Sequence, residues 1–142
     1  MSNTRRSFLK VLAACPLAGA CSSNSGDPAS FGTVSAGNVS ATSEGSLSVV
    51  GTAPTVLGRD KDGLYAMTIT CTHAGCDVTP QGTTLFCPCH SSVFDSNGGV
   101  LRGPAGSPLV HFAVHVDASG NITVDGTKQV GASVRTPITT TT

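Results

Sequence analysis

The sequence contains no tryptophan, and aromatic residues make up only 4% of the chain. Charged residues are also scarce, at 11% of the positions against roughly 25% in average soluble domains. The 8 basic and 8 acidic residues cancel to a formal net charge of +0, which argues against nucleic acid as a partner. No run of about 18 apolar residues occurs, so the sequence excludes a conventional membrane-spanning helix.

Small and β-branched residues are abundant instead. The chain has 17 Gly and 8 Pro in 142 residues, a length that suits one domain. Between Val110 and Val116, Val or Phe alternates with His or Ala, which predicts a strand with one buried face and with His111 and His115 on its surface side. Further strands are predicted at 47–50, 64–70, 83–86 and 122–124, and a solvated polar turn is predicted at 58–63, around Asp60 and Asp62. This composition and pattern predict an all-β fold class with many turns and no helix.

The first residues have the composition of a targeting signal. Arg5 and Arg6 are adjacent and precede an apolar run at 11–20. A basic segment followed by a short apolar run and small residues is typical of secretory signals. This one resembles the twin-arginine signals that bacteria use for proteins that fold before export. We therefore expect residues 1–20 to be a signal peptide and the mature protein to be exported.

The junction after the signal offers a site for a lipid. Residues 17–21, Leu-Ala-Gly-Ala-Cys, resemble the cleavage box of bacterial lipoproteins, in which the thiol of Cys21 carries the lipid. Ordinary cleavage after Ala20, with Cys21 left as a free thiol, is the alternative. Residues 21–30 are rich in Ser, with Asn, Gly, Asp and Pro and little to bury, and are expected to form a flexible tether.

Four cysteines and two histidines are concentrated in two short segments, CTHAGC at 71–76 and CPCHSS at 87–92. Considered as possible ligands, these residues form a C-x-H motif and a C-x-x-H motif that are separated by thirteen residues. Each segment contains one further Cys. Three kinds of site use such residues: a structural zinc site with two Cys and two His, a disulfide framework in an exported protein, and a [2Fe–2S] cluster held by two Cys and two His.

Both segments resemble the two cluster-binding loops of the Rieske family, and residues 93–95 (Val-Phe-Asp) and 103–105 (Gly-Pro-Ala) extend the similarity. The resemblance covers roughly residues 45–125. It implies a Rieske-like antiparallel β sandwich with a small inserted cluster-binding subdomain at about 70–108. We expect this domain to span residues 31–131, and the Thr-rich residues 132–142 to be a disordered tail.

The resemblance also implies the ligands of one [2Fe–2S] cluster. Cys71 and Cys87 are expected to bind the inner iron, and His73 and His90 the outer iron near the protein surface. Ser92 is expected to donate its hydroxyl proton to a bridging sulfide.

A disulfide between Cys76 and Cys89 is implied by the high-potential members of the family. The sequence departs from the family pattern at two positions and in the short spacing of thirteen residues between the two ligand pairs, and residues 103–108 match the family's proline loop only irregularly. Phe94 occupies the place where quinol-oxidising members usually carry Tyr, and Ser91 occupies the place of a usual Gly. The first departure predicts a lower reduction potential than in Tyr-bearing relatives.

These features together predict an exported Rieske protein that transfers single electrons at the outer face of a bacterial membrane. It is expected on the periplasmic side of the cytoplasmic membrane, held by lipid on Cys21, with quinol or a redox protein as its partner. The alternatives are the Rieske subunit of a quinol-oxidising cytochrome bc complex, the small subunit of an arsenite-oxidase-like enzyme, and a free carrier.

Overall fold

The computed structural model describes residues 30–138, and within this range the chain forms ten strands and one short 3-10 helix. The elements are β1 (Thr33–Asn38), the 3-10 helix (Val39–Ala41), β2 (Leu47–Val50), β3 (Thr55–Asp60), β4 (Gly63–Thr68), β5 (Thr79–Gln81), β6 (Thr84–Phe86), β7 (Val93–Phe94), β8 (Val100–Arg102), β9 (His111–Val116) and β10 (Asn121–Val130). Within these residues, no helix that could span a membrane is found. The predicted signal peptide, residues 21–29 of the tether and the lipid site at Cys21 lie outside the described residues.

The strands form two antiparallel sheets. The larger, which we call the base sheet, has the order β1-β10-β9-β4-β3-β2, and the smaller has the order β5-β6-β7-β8. Strands β4 and β9 are neighbours in the base sheet, with Ala66 opposite Phe112, so the whole small sheet is an insertion between two paired strands. This arrangement confirms the predicted all-β fold with an inserted subdomain.

Every residue of β4 is buried, and successive side chains enter two different cores. Leu64 and Ala66 pack with Phe112 and Ile122 in the core of the base sheet. Tyr65 and Met67 point to the other face and join a second core beneath the small sheet, which contains Leu85 and Phe94. Because successive side chains of a strand point to opposite faces, β4 ties the inserted subdomain to the base sheet.

The burial of β9 differs from its prediction. His115 is exposed as predicted, but His111 is only 2% exposed, so its assignment to the surface was wrong. β9 is an inner strand of the base sheet, and the ring of Tyr65 lies near the His111 ring with a centroid distance of 6.3 Å. His111 Nδ1 lies 3.2 Å from the Leu109 carbonyl oxygen, which can only accept, so this nitrogen carries the proton. His111 Nε2 is buried without a hydrogen-bond partner.

We expect the stability of the protein to fall as the pH decreases below about 6.5, the ordinary pKa of histidine. Burial lowers the pKa of His111, so the unfolded chain takes up this proton at a higher pH than the folded one. The hydrogen bond to the Leu109 carbonyl and the charge of Asp95 raise this pKa, and the charge of Arg135 lowers it, but burial is the largest effect. Urea unfolding between pH 7.5 and 5 should show a smaller decline in the midpoint for His111→Gln than for the unmodified protein. The exposed His115→Gln is the matched control, and an equal decline in all three proteins would contradict the prediction.

The C-terminal residues are ordered where the sequence predicts disorder. Thr136 exchanges backbone hydrogen bonds with Leu64 at 2.9 and 2.8 Å, and its hydroxyl donates to the Val114 carbonyl at 2.6 Å. Arg135 Nε lies 2.6 Å from Asp60 Oδ2, so Asp60 is not simply solvated in its turn. The prediction of a disordered tail at 132–142, and with it the domain end at 131, is wrong for residues 132–138. Residues 139–142 lie outside the described residues.

Candidate metal centre

Two loops carry the Cys and His residues, and their backbones fold in the same way. We call residues 71–76, after β4, loop 1, and residues 87–92, between β6 and β7, loop 2. In loop 1 the Cys71 N–H donates to the Cys76 carbonyl at 2.8 Å, and the Gly75 N–H donates to the Cys71 carbonyl at 2.9 Å. In loop 2 the Cys87 N–H donates to the Ser92 carbonyl at 2.9 Å, and the Ser91 N–H donates to the Cys87 carbonyl at 3.0 Å. Each loop is thus a closed turn that begins at a cysteine.

Both turns need a residue in the left-handed backbone region. Gly75 supplies it in loop 1 with φ +78°. Ser91 supplies it in loop 2 with φ 61°, and it is the only residue other than Gly with positive φ in the described part of the chain. An L-residue with a side chain is strained there, whereas Gly is not. The difference between Ser91 and the Gly of the family pattern therefore lies at the left-handed position of loop 2.

A disulfide joins the two loops. Cys76 and Cys89 are bonded, with a Cα–Cα distance of 6.4 Å. This confirms the predicted pairing. The bond holds loop 1 and loop 2 side by side, so that the remaining cysteines and histidines of the two loops form pairs.

Cys71 and Cys87 are the free cysteines of residues 30–138, and both are buried, at 2% and 1% exposure. They belong to the core beneath the small sheet, together with Phe94. Burial raises the pKa of the Cys71 thiol, and the contact with the Cys87 thiol raises it further. Two buried thiols in contact cannot both become thiolates unless a cation compensates their charge. This pair therefore fits a site for metal.

His73 and His90 form the second pair. Their rings meet edge to face with centroids 4.6 Å apart, and both residues are exposed, as expected. No three His, Cys, Asp or Glu side chains within 30–138 are close enough together to hold one ion. The donors instead come as a buried sulfur pair and an exposed imidazole pair, and this donor set fits a [2Fe–2S] cluster with two Cys and two His ligands.

A third loop, residues 103–109, covers the first two. The Ala105 N–H donates to the buried Ser92 Oγ at 3.0 Å, so the hydroxyl proton of Ser92 is free to be donated in turn. That hydroxyl also lies within hydrogen-bonding contact of the Cys71 thiol. On the other side, Thr72 Oγ1 donates to the Ser107 carbonyl at 2.6 Å. The third loop is thus fastened to both loops that carry the cysteines.

Sequence reasoning missed the roles of Thr72 and Arg102. Thr72 lies between two predicted ligands, and nothing in its local sequence indicates that its hydroxyl bonds to Ser107, 35 residues away. Arg102 donates two hydrogen bonds to the carbonyl of Ser91. Its signal in the sequence is that it is the only Lys or Arg between residues 62 and 127.

The chain is similar in sequence to iron–sulfur subunits of cytochrome complexes. It is 46% identical over 65 residues to the cytochrome b6-f complex iron-sulfur subunit of Synechococcus sp. (strain CC9605), which covers 44% of this chain and 36% of the relative. It is 41% identical over 64 residues to the corresponding subunit of Prochlorococcus marinus (strain MIT 9211), covering 44% of this chain and 35% of the relative. The similarity thus spans about a third of the length of these relatives.

Solved structures with a similar fold include the cyanobacterial plasma membrane Rieske protein from Synechocystis PCC 6803, with 30% identity and a TM-score of 0.54 over 65% of this chain and 98% of that one. A chain in the complex of reduced oxygenase and oxidized ferredoxin in carbazole 1,9a-dioxygenase matches with 29% identity and a TM-score of 0.52, over 70% and 97% of the two chains. The family model of the Rieske [2Fe-2S] domain matches residues 32–116, which include both loops. The chain therefore belongs to the Rieske [2Fe–2S] domain family and binds one [2Fe–2S] cluster.

Proposed function

We propose that this Rieske electron-transfer protein is exported and carries single electrons at the outer face of a bacterial membrane, as a subunit or carrier of a respiratory chain. The single observation that carries the proposal is the pair of exposed imidazoles, His73 and His90, beside the buried thiols of Cys71 and Cys87. When bound, the cluster accepts and donates one electron at a time. The cysteine side of the site is buried in the core, and the histidine side is exposed at the surface, where a partner can contact it.

Cys71 and Cys87 would hold the inner iron as thiolates, and His73 and His90 would hold the outer iron through ring nitrogens. The core position of the cysteines keeps water away from the sulfur ligands, whereas the exposed rings lie where an electron can enter or leave. Ser92, buried against Cys71, supplies a hydroxyl proton to the sulfur side of the site. Neutral imidazoles in place of two thiolates make the loaded site less negative, which raises the reduction potential by hundreds of millivolts relative to a site with four Cys ligands.

The exposed rings also suit a partner that exchanges protons. An imidazole has two ring nitrogens, so one nitrogen of each exposed ring, on His73 and on His90, would remain free of iron and available for a hydrogen bond to a partner. A quinol gives up both protons and electrons when it is oxidised. The similarity to cytochrome b6-f iron-sulfur subunits supports a place beside a cytochrome of the bc type, where quinol is the donor.

Export and membrane attachment rest on residues 1–30. Arg5 and Arg6 with the following apolar run support the twin-arginine route, which suits a protein that acquires its cluster before export. Cys21 is the proposed lipid site. Mass spectrometry of the membrane-extracted protein should find a lipid-modified N-terminus at Cys21. An unmodified N-terminus upstream of this residue is incompatible with the lipid anchor.

The proposed function is tested on the protein purified with its native iron. Two iron and two inorganic sulfur atoms per chain are expected, with the electron paramagnetic resonance signal of a Rieske cluster after reduction by dithionite. Reduction by a quinol in membranes, blocked by an inhibitor of the quinol site, supports the place beside a cytochrome. Co-purification with a molybdenum-containing subunit would instead favour the arsenite-oxidase-like alternative. A colourless protein that contains zinc and no inorganic sulfur would overturn the electron-transfer role.

Phe94→Tyr is expected to raise the midpoint potential. Phe94 is fully buried in the core that contains Cys71 and Cys87, and a phenol there can donate a hydrogen bond to a ligand sulfur, whereas the phenyl ring cannot. Such a bond is stronger in the reduced, more negative state by about 1 kcal/mol, which is about 40 mV for one electron. Potentiometric titration followed by electron paramagnetic resonance measures the change.

The control for this substitution is Phe31→Tyr. Phe31 packs against Phe112 in the core of the base sheet, with ring centroids 5.0 Å apart, away from both loops. Phe31→Tyr adds the same hydroxyl group without a ligand sulfur nearby. The midpoint potential of this variant should therefore equal that of the unmodified protein. An unchanged or lower potential in Phe94→Tyr contradicts the prediction.

A further inference from the structure

Arg102 holds the carbonyl of Ser91 with a forked pair of hydrogen bonds. Its Nε and Nη2 atoms lie 3.1 and 3.0 Å from the Ser91 oxygen. Arg102 ends β8, the edge strand of the small sheet, and its side chain is exposed. The contact joins residues that are 11 positions apart in the chain, across from β8 to loop 2. An exposed arginine gains little from a casual surface contact, so two bonds to one carbonyl at a strained residue are a specific arrangement.

We propose that Arg102 is a positioning residue for His90, and that it acts by clamping loop 2 at Ser91; the inference rests on the proposed role of His90 as an iron ligand. The clamped carbonyl belongs to the residue that directly follows His90 in the chain. The Ser91 N–H is already bonded to the Cys87 carbonyl, so Arg102 restrains the other end of the same residue. Together these bonds fix the path of the backbone on which the His90 ring is carried.

The comparison of the two loops shows why loop 2 needs the clamp. Both loops close with the same hydrogen-bond pattern, but Gly75 occupies the left-handed position in loop 1 and Ser91 in loop 2. Gly adopts this conformation without strain, whereas Ser does so only when its surroundings hold it there. Arg102 supplies that restraint.

The charge of Arg102 has a second consequence for the same site. It is the only Lys or Arg between residues 62 and 127, the segment that contains both loops and the small sheet. Reduction adds one negative charge to the loaded site, and a nearby guanidinium stabilises the reduced form. Loss of the charge therefore lowers the midpoint potential, while loss of the fork alone alters the geometry at His90.

Two substitutions separate these effects. Arg102→Lys keeps the charge but cannot form the fork, and Arg102→Gln loses the charge as well. We expect a changed electron paramagnetic resonance spectrum and severalfold faster cluster loss in both variants. A lower potential is expected mainly in Arg102→Gln, corresponding to about a tenfold smaller equilibrium constant for reduction, or about 59 mV. Lys128→Gln removes an exposed charge from β10 of the base sheet and should leave all three readouts unchanged.

A double-mutant cycle tests whether the clamp acts through Ser91. In Ser91→Gly the turn forms without strain, so adding Arg102→Lys should change the spectrum and the rate of cluster loss much less than it does beside Ser91. The proposal is overturned if Arg102→Lys has equal effects beside Ser91 and beside Gly at this position. It is also overturned if Arg102→Lys alone has the same spectrum and the same rate of cluster loss as the unmodified protein. Absence of the cluster from the unmodified protein contradicts the proposed function instead, so the two failures are distinguishable.

Discussion

Cys71→Ser and Cys87→Ser are expected to abolish cluster binding almost completely. Each cysteine is buried without a disulfide partner and contacts the other across the site. A serine hydroxyl stays protonated at neutral pH and is a hard donor, so it replaces a soft thiolate poorly as a ligand of iron. Iron and inorganic sulfur per chain, together with the visible absorption of the purified protein, measure the loss. More than half of the normal iron and sulfur content in either variant would contradict the ligand assignment.

The matched control uses the other two cysteines of the same loops. Cys76→Ser with Cys89→Ser removes the disulfide but leaves all four proposed ligands in place. The bond closes a loop over a sequence separation of 13, and a loop of this size stabilises the fold by about 3 kcal/mol. We therefore expect this double variant to assemble a cluster, to lose it faster and to unfold more easily. If this double variant lost the cluster as completely as Cys87→Ser does, the loss of the cluster in Cys71→Ser and Cys87→Ser could not be assigned to their role as ligands.

Arg135→Ala is expected to lower the free energy of unfolding by about 3 kcal/mol. The guanidinium pairs with Asp60 at 2.6 Å, donates to Asn97 Oδ1 at 2.9 Å and lies 4.1 Å from the centre of the Tyr65 ring. The Arg135 side chain is only 15% exposed, so its removal leaves a partly buried carboxylate without its counter-ion. The loss of the cation–π contact and the hydrogen bond adds to this cost. Urea unfolding at neutral pH measures the difference.

The expected effect is large because Arg135 joins three parts of the fold. Partial burial by itself raises the pKa of Asp60, but the hydrogen bonds from Arg135 and from the backbone of Asp62 lower it overall. Asn97 lies in the turn between β7 and β8, so the same guanidinium also holds the small sheet. Lys61→Ala breaks an exposed ion pair with Asp62 and should leave the unfolding midpoint unchanged. Equal midpoints for Arg135→Ala and the unmodified protein would refute the bridging role.

Local patterns predicted the strands that bury apolar residues at regular spacing. The strand predicted at 47–50 is β2, and that at 64–70 corresponds to β4, which begins one residue and ends two residues earlier. β3, at Thr55–Asp60, was not predicted as a strand, because its charged end and internal Gly resemble a turn. It forms because its backbone pairs along its whole length with β4. Pairing with a neighbouring strand thus overrode a weak local preference.

The loops were predictable for a different reason. Ligand chemistry is a property of residue types at short spacing, and the turn residues between Cys71 and Cys76 restrict the backbone locally. The disulfide pairing came from family resemblance, and the structure confirms it. The isolated position of Arg102 is visible in the sequence, but its contact with Ser91 was not predictable, because the contact depends on where an edge strand passes loop 2.

The sequence by itself determined the all-β class, the two loops and the donor atoms that they offer. Strand periodicity and ligand types both depend on residues that are close together in the sequence. Only the tertiary structure decided that His111 is buried and that residues 132–138 are ordered. Burial depends on what packs against a strand, and a polar C-terminal segment gains order from Asp60 and Leu64, which lie about seventy residues away. Such long-range contacts leave no periodic signal in the segment that they stabilise.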